Sequence, residues 1–283
     1  MSQRFEGYFR GADRNEIFYQ TWTPENPRGL FLITHGLAEH SECYHHVAKD
    51  LAEDNWQVVA WDLRGHGRSE GKRGYVQNLT KFIEDLALFV DQLHRTHPDR
   101  SMVLFGHSMG GLITTRYWQL NRPEYVQALS LSSPAFGLSV QVPRFKEALA
   151  KVAVKWVPTL TMYNEIRYED LTRDEEMLKS HRSDTLRHEK ISPGLFLSML
   201  ENFKLASDEA DHIKIPVLMQ LSGEDRIVST EASRDLFEKI PNKSKSLIVY
   251  PDSLHEVFND RERDHAIADL KKFINPFLGA QPS

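Results

Sequence analysis

Three side chains in this chain have the types needed for covalent catalysis at a carbonyl: Ser108 as nucleophile, His255 as base and Asp225 as orienting acid. A serine hydroxyl attacks a carbonyl when a base takes its proton and hydrogen-bond donors receive the new oxyanion. Ser108 lies in Gly106-His107-Ser108-Met109-Gly110, directly after the apolar run "SMVLF" and before the helix-compatible "GLITTRYWQL". Glycines two positions either side of a serine allow a sharp strand-to-helix turn that exposes the hydroxyl. The same pattern also describes a surface turn or a helix start, and it is the flanking strand and helix that give it weight.

Thirteen histidines compete for the role of base. His107 adjoins Ser108, but neighbouring side chains on a sharp turn diverge, and packing beside the turn is its expected role. His255 follows "SLIVYPDSL", a strand running into a loop near the C-terminus, where α/β enzymes keep catalytic groups. Asp225, in "VLMQLSGEDRIVS", falls between Ser108 and His255 in chain order, as a triad on such a fold requires. Helix capping or a turn is the plainer reading of that aspartate, and Glu224 and Asp252 are its competitors. The backbone N–H of Met109 is the first oxyanion donor expected. The second is that of Leu37, just after the His35-Gly36 pair that ends "LFLITHG".

Such groups need a scaffold of strands ending together. Apolar runs at 29–36, 57–67, 101–108, 128–134, 216–225 and 246–256 each close on Gly, Ser, Asp or His. Continuous apolar character suits strands buried on both faces of a mostly parallel sheet. Helical patterns occupy 44–55, 79–97 and 229–240, and Phe82, Ile83, Leu86, Phe89, Val90 and Leu93 fall on one helical face. The alternation predicts an α/β fold with helices flanking the sheet. It stops between about 135 and 207, where the sequence turns helical, charged and irregular. The expected organisation is therefore a core in two parts, 1–134 and 208–283, with an inserted helical cap at 135–207.

The composition narrows the classes. The chain has 283 residues, 40% of them hydrophobic and 27% charged, with a formal net charge of -5, the profile of a globular protein rather than a nucleic-acid binder. Its single cysteine, Cys43, allows no internal disulfide and excludes a metal site built on thiolates. The N-terminal stretch has no continuous apolar segment, and no window reaches the length of a spanning helix. The expected location is cytoplasmic, with any membrane contact peripheral.

"HGLAEHS", "DLRGHGRSEG", "GHSMGG", "GEDRIVS" and "LHE", in that order, resemble the α/β-hydrolases of the monoacylglycerol lipase and lysophospholipase group (serine aminopeptidase S33-like hydrolases). The resemblance implies an α/β-hydrolase fold, a Ser108-Asp225-His255 triad, Leu37 and Met109 as oxyanion donors, and no metal or organic cofactor. It assigns Arg64 and His66, in "DLRGHGRSEG", to holding a loop. Glu39 matches a residue of the family's head-group site. The rest of that site departs: Cys43 stands where the monoacylglycerol lipases carry an arginine, and Phe258 where they carry a histidine. The His255-Glu256 pair looks like the bacterial lysophospholipases instead.

The implied activity is hydrolysis of the carboxylic ester of a lipid with one acyl chain, monoacylglycerol or lysophospholipid, through an acyl-enzyme on Ser108. Alternatives on the same fold are a short-chain carboxylesterase, a peptidase or an acyltransferase, and outside catalysis a binder of small molecules. Within the inserted segment, "PRFKEALAKVAVKWVP" places Phe145, Leu149, Val152 and Trp156 near one helical face, with Arg144, Lys146, Lys151 and Lys155 around it. A basic amphipathic helix of this kind can lie on an anionic membrane, and it can equally line an acyl pocket or pack on the core. Head group, acyl length and oligomeric state leave no mark in the sequence.

Overall fold

The computed structural model describes residues 2–140 and 142–279, and Arg144 by its backbone alone. The chain opens with an antiparallel hairpin, β1 (Gln3–Arg10) and β2 (Glu16–Thr23). Alternating elements follow: β3 (Gly29–Thr34), α1 (His45–Glu53), β4 (Trp56–Trp61), α2 (Thr80–Thr96), β5 (Ser101–His107), α3 (Met109–Asn121) and β6 (Val126–Ser132). Then come α4 (Arg144–Trp156), β7 (Met162–Tyr163), α5 (Glu175–Ser183), β8 (Lys190–Ile191) and α6 (Pro193–Asp208). The chain closes with β9 (Val217–Ser222), α7 (Thr230–Lys239), β10 (Lys245–Tyr250) and α8 (Arg263–Ile274).

Eight strands form one sheet in the order β1-β2-β4-β3-β5-β6-β9-β10. Only the pairings of β1 with β2 and of β2 with β4 are antiparallel; the others are parallel. β3, β4 and β9 are buried at every residue, which is why their sequences are mostly apolar with no in-out alternation. Helices cover both faces. One face carries Leu86, Phe89, Leu112, Leu195 and Leu236, from α2, α3, α6 and α7. The other packs Val47, Leu51, Ile267 and Leu270, from α1 and α8, against Phe31, Phe105 and Val58. All six apolar residues foreseen on the face of α2 are buried. Helix starts follow local rules: Ser229 Oγ accepts from the Ala232 N–H at α7, and Ser192 does so from Leu195 at α6, which has Pro193 in its first turn.

Between β6 and β9 the helical expectation needs one amendment, since β7 and β8 pair as a short antiparallel ribbon (Met162 with Ile191, Tyr163 with Lys190). α6 packs inward, placing Leu195, Met199, Phe203 and Ala206 in the core. α4 leans on the rest of the molecule through Ala150, whereas Phe145 and Trp156 are 63% and 75% exposed.

Candidate active site

The parallel strands bring four loops to one edge of the sheet: 35–40 after β3, the turn at Ser108 after β5, Asp225 after β9 and His255 after β10. Register fixes their relative height, with Thr34 paired to Gly106 and Gly106 to Leu131.

Ser108 sits between β5 and α3 at φ 52°, ψ -121°. A non-glycine residue there carries strain of about 1–3 kcal/mol, and neighbouring bonds hold it. Its N–H donates to the Ser132 carbonyl (3.0 Å), and its carbonyl accepts from Ala135 (2.9 Å). The glycines answer a steric demand: a Cβ on Gly110 would fall on the Thr34 and His35 carbonyls, and one on Gly106 on the Gly110 carbonyl. Met109 opens α3, so its N–H belongs to the free, electropositive end of that helix.

His255 Nδ1–H donates to Asp225 Oδ2 at 2.8 Å, with both side chains buried. Asp225 Oδ1 accepts from the N–H groups of Ile227 and Val228, each at 2.9 Å. The turn at 225–228 and the contact with His255 are therefore held by separate oxygens of one carboxylate, and the cap of α7 is Ser229 instead. Burial pushes Asp225 up, but the His255 charge and these hydrogen bonds outweigh it and hold the carboxyl below its ordinary range. For His255, burial works downward and the Asp225 charge and hydrogen bond overcome it, leaving the imidazole above its ordinary value. The competing carboxylates lie elsewhere: Glu224 is half exposed and pairs with Arg173, and Asp252 is exposed. His107 packs 4.8 Å from the His255 ring, its Nδ1 3.2 Å from Ser132 Oγ, and burial drives it down to about 3, so it stays neutral.

Ser108, His255, His107, Leu37 and Glu39 line one cavity of about 30 Å³. Its far wall comes from the segment between β6 and β9, chiefly Tyr168, Arg187 and His188. Arg187 donates from Nη1 to Glu256 Oε1 at 3.1 Å, and Glu256 Oε2 receives His181 Nε2 (2.9 Å) and Asn259 Nδ2 (2.8 Å). Burial raises Glu256, yet the Arg187 and His181 charges dominate and keep it ionised. Glu39 is the reverse case: burial, then the charge of Glu256, push its carboxyl up. Its Oε1 accepts from the Gly36 N–H and from Tyr44 Oη, while Oε2 is buried without a hydrogen-bond partner, 3.9 Å from Arg187 Nη2.

The two departures from the family pattern take different roles. Phe258 is buried edge-on against Phe105 (5.3 Å, 90°). Cys43 accepts from Arg187 Nη2 at 3.4 Å, so a guanidinium reaches the sulfur from 144 positions along the chain. Sequence reasoning missed His181, in the last turn of α5, and Arg187 and His188, in the irregular stretch that follows. The loop residues behave as read: Arg64 grips buried Asp85 through Nε (2.6 Å) and Nη2 (2.7 Å) and Asp13 through Nη1 (2.5 Å), and His66 Nδ1 lies 3.0 Å from the Arg64 carbonyl.

A mostly parallel eight-stranded sheet with helices on both faces and a strained serine between β5 and α3 defines an α/β-hydrolase. Within that class the chain belongs to the family described as Hydrolase_4, serine aminopeptidase, S33, which it matches over residues 25–262. It is similar to the monoacylglycerol lipase of Mycolicibacterium smegmatis, 34% identical over 275 residues, with 96% of this chain and 98% of that one covered. Phospholipase YtpA of Bacillus subtilis is 25% identical, with 91% and 99% covered. Among solved structures, the monoacylglycerol lipase of Paleococcus ferrophilus superposes with a TM-score of 0.83 at 32% identity, covering 97% of this chain and 99% of that one.

Proposed function

We propose that this protein is a serine hydrolase cleaving the carboxylic ester of lipids with one acyl chain, monoacylglycerol or lysophospholipid. The observation that carries the reading is the buried Asp225–His255 hydrogen bond beside a serine held at a strained elbow, in a chain 34% identical to a monoacylglycerol lipase. Ser108 Oγ attacks the ester carbonyl as His255 Nε2 takes its proton, and Asp225 fixes the tautomer and stabilises the imidazolium. The N–H groups of Leu37 and Met109 receive the oxyanion, the alcohol leaves with the proton from His255, and water then frees the fatty acid. No step calls for a metal or organic cofactor.

Residues 135–207 act as a cap over this site, with 1–134 and 208–283 forming the core. Cavity-wall atoms that are buried without hydrogen-bond partners, Glu39 Oε2, Arg187 Nε and His188 Nε2, support a polar head-group site there. Glu39 is its acceptor, and Arg187 lies beside Cys43. The outward face of α4 bears Phe145, Leu149, Val152 and Trp156, all exposed, with Lys151 and Lys155 exposed alongside and Lys146 paired to Glu165. That orientation favours contact with a lipid surface over lining of the acyl pocket. No helix among the described residues is long and apolar enough to cross a membrane. The contact we propose is peripheral, with the cytoplasm as the site of action.

The test is kcat/KM for the protein and its Ser108→Ala variant on long-chain monoacylglycerol, lysophosphatidylcholine, short p-nitrophenyl esters and aminoacyl p-nitroanilides. A preference for the long single-chain lipids that falls by ~10⁴-fold or more in the variant supports the reading. Activity confined to short esters or anilides refutes it.

A further inference from the structure

Beyond the serine site, His40, Cys43 and Asp184 bring three different donor atoms together where the loop after β3 meets the end of α5. An imidazole nitrogen, a thiol sulfur and a carboxylate oxygen all lie within 4.8 Å of one another. We propose that this cluster is a binding site for a divalent transition metal of the zinc type, joining the hydrolase core to the cap.

The donor set carries the argument. Thiolate and imidazole select a borderline or soft ion, so Zn²⁺ fits and Mg²⁺ or Ca²⁺ does not. Three protein ligands leave the fourth tetrahedral position to water. Ideal bonds of about 2.0–2.3 Å set ligand atoms roughly 3.3–3.8 Å apart. His40 Nε2 and Asp184 Oδ2, now 2.7 Å apart, must therefore open slightly, and any separation near the 4.8 Å bound must close by about 1 Å. Asp184 is well placed to move, as the C-cap residue of α5 with a partly exposed side chain. The count of cysteines excludes a site with several thiolates; one thiolate completed by His40 and by Asp184, 144 positions beyond His40, escapes that exclusion.

The metal replaces bonds already made. It takes the hydrogen-bonded nitrogen and oxygen of the His40–Asp184 pair and the sulfur that Arg187 Nη2 now contacts at 3.4 Å. Each ion bound sends to solvent the proton of a Cys43 thiol and, where His40 is an imidazolium, its proton as well. A dication beside the guanidinium repels it, which holds the affinity below that of a dedicated structural zinc site and pushes Arg187 off Cys43. Because Arg187 also lines the Ser108 cavity, occupancy alters the wall facing the nucleophile while cross-linking core and cap.

Cobalt(II) makes the site visible, since a bound thiolate gives a near-ultraviolet charge-transfer band and tetrahedral geometry gives intense visible bands. The whole protein, Cys43→Ser and Asp184→Ala are titrated with CoCl2 without competing thiols, then back-titrated with ZnCl2, with thermal unfolding to check each fold. The expected result is one cobalt per chain with the thiolate band, displacement by zinc, no band in Cys43→Ser and at least tenfold weaker binding in Asp184→Ala. Absence of the band in the parent protein, or equal affinity in parent and folded variants, overturns the proposal. The readout is binding, so it stands whether or not the lipid-esterase reading does.

Discussion

Arg187 Nη1 lies 3.1 Å from Glu256 Oε1, with both side chains almost fully buried, and Glu256 is the residue that follows His255. A charge pair out of water joins the segment between β6 and β9 to the loop that carries the imidazole. Removing one partner leaves the other charge buried and uncompensated, at a cost of about 3–5 kcal/mol. Arg187→Met is expected to lose stability on that scale in urea unfolding. The double variant Arg187→Met/Glu256→Gln should recover part of the loss. A single variant as stable as the parent would mean that His181 and Asn259 suffice to hold Glu256.

The strain at Ser108 should be measurable apart from its chemistry. Both Ser108→Ala and Ser108→Gly abolish the proposed nucleophile, but only glycine adopts φ 52° without a Cβ penalty. The glycine variant is expected to be the more stable of the two by ~1 kcal/mol, within the range such conformations store. Equal unfolding midpoints would place the strain elsewhere.

His255 serves as a base only when neutral. Although burial works against the charge, Asp225 holds its pKa above the ordinary value. The proposed activity should therefore fall as the pH drops, with the half-point of kcat/KM above about 6.5. In Asp225→Asn the supporting charge is gone and burial prevails, so the half-point moves down while kcat drops by ~10⁴-fold. An unshifted acid limb in that variant would assign the titration to another group.

On α4, replacing Phe145 and Trp156 by serine removes large exposed apolar groups that pack against little else. Stability should change by no more than about 0.5 kcal/mol per site, as for other surface substitutions. Sedimentation with anionic vesicles should fall several-fold, with hydrolysis of micromolar, monomeric substrate retained. Unchanged sedimentation would leave α4 without a role at the lipid surface.

The interior strands were legible because β3, β4, β5, β6 and β9 lie inside the sheet and are almost wholly buried. β1 and β2 escaped notice: as an edge hairpin, with most of β1 exposed, they mix charged and apolar residues. Ser108, Asp225 and His255 could be named because each ends a readable strand, and the last two are in hydrogen-bond contact. Arg187 and His181 could not, since the pull that brings them to Glu256 is a long-range charge pairing with no local periodicity. For α4 the apolar face was readable, but which way it turned depended on Ala150 facing inward.

Glu39, the proposed head-group acceptor, also holds the backbone of the turn beside it. One of its carboxylate oxygens takes the Gly36 N–H and so shapes the turn that presents Leu37; the other faces the cavity unpartnered. Any exchange at this position made to accept a different alcohol also loosens a proposed oxyanion donor, so selectivity and turnover are inherited together. Divergence toward new head groups is therefore easier through His188, which reaches the cavity from the segment between β6 and β9, carries no buried ion pair and leaves the turn at Gly36 untouched.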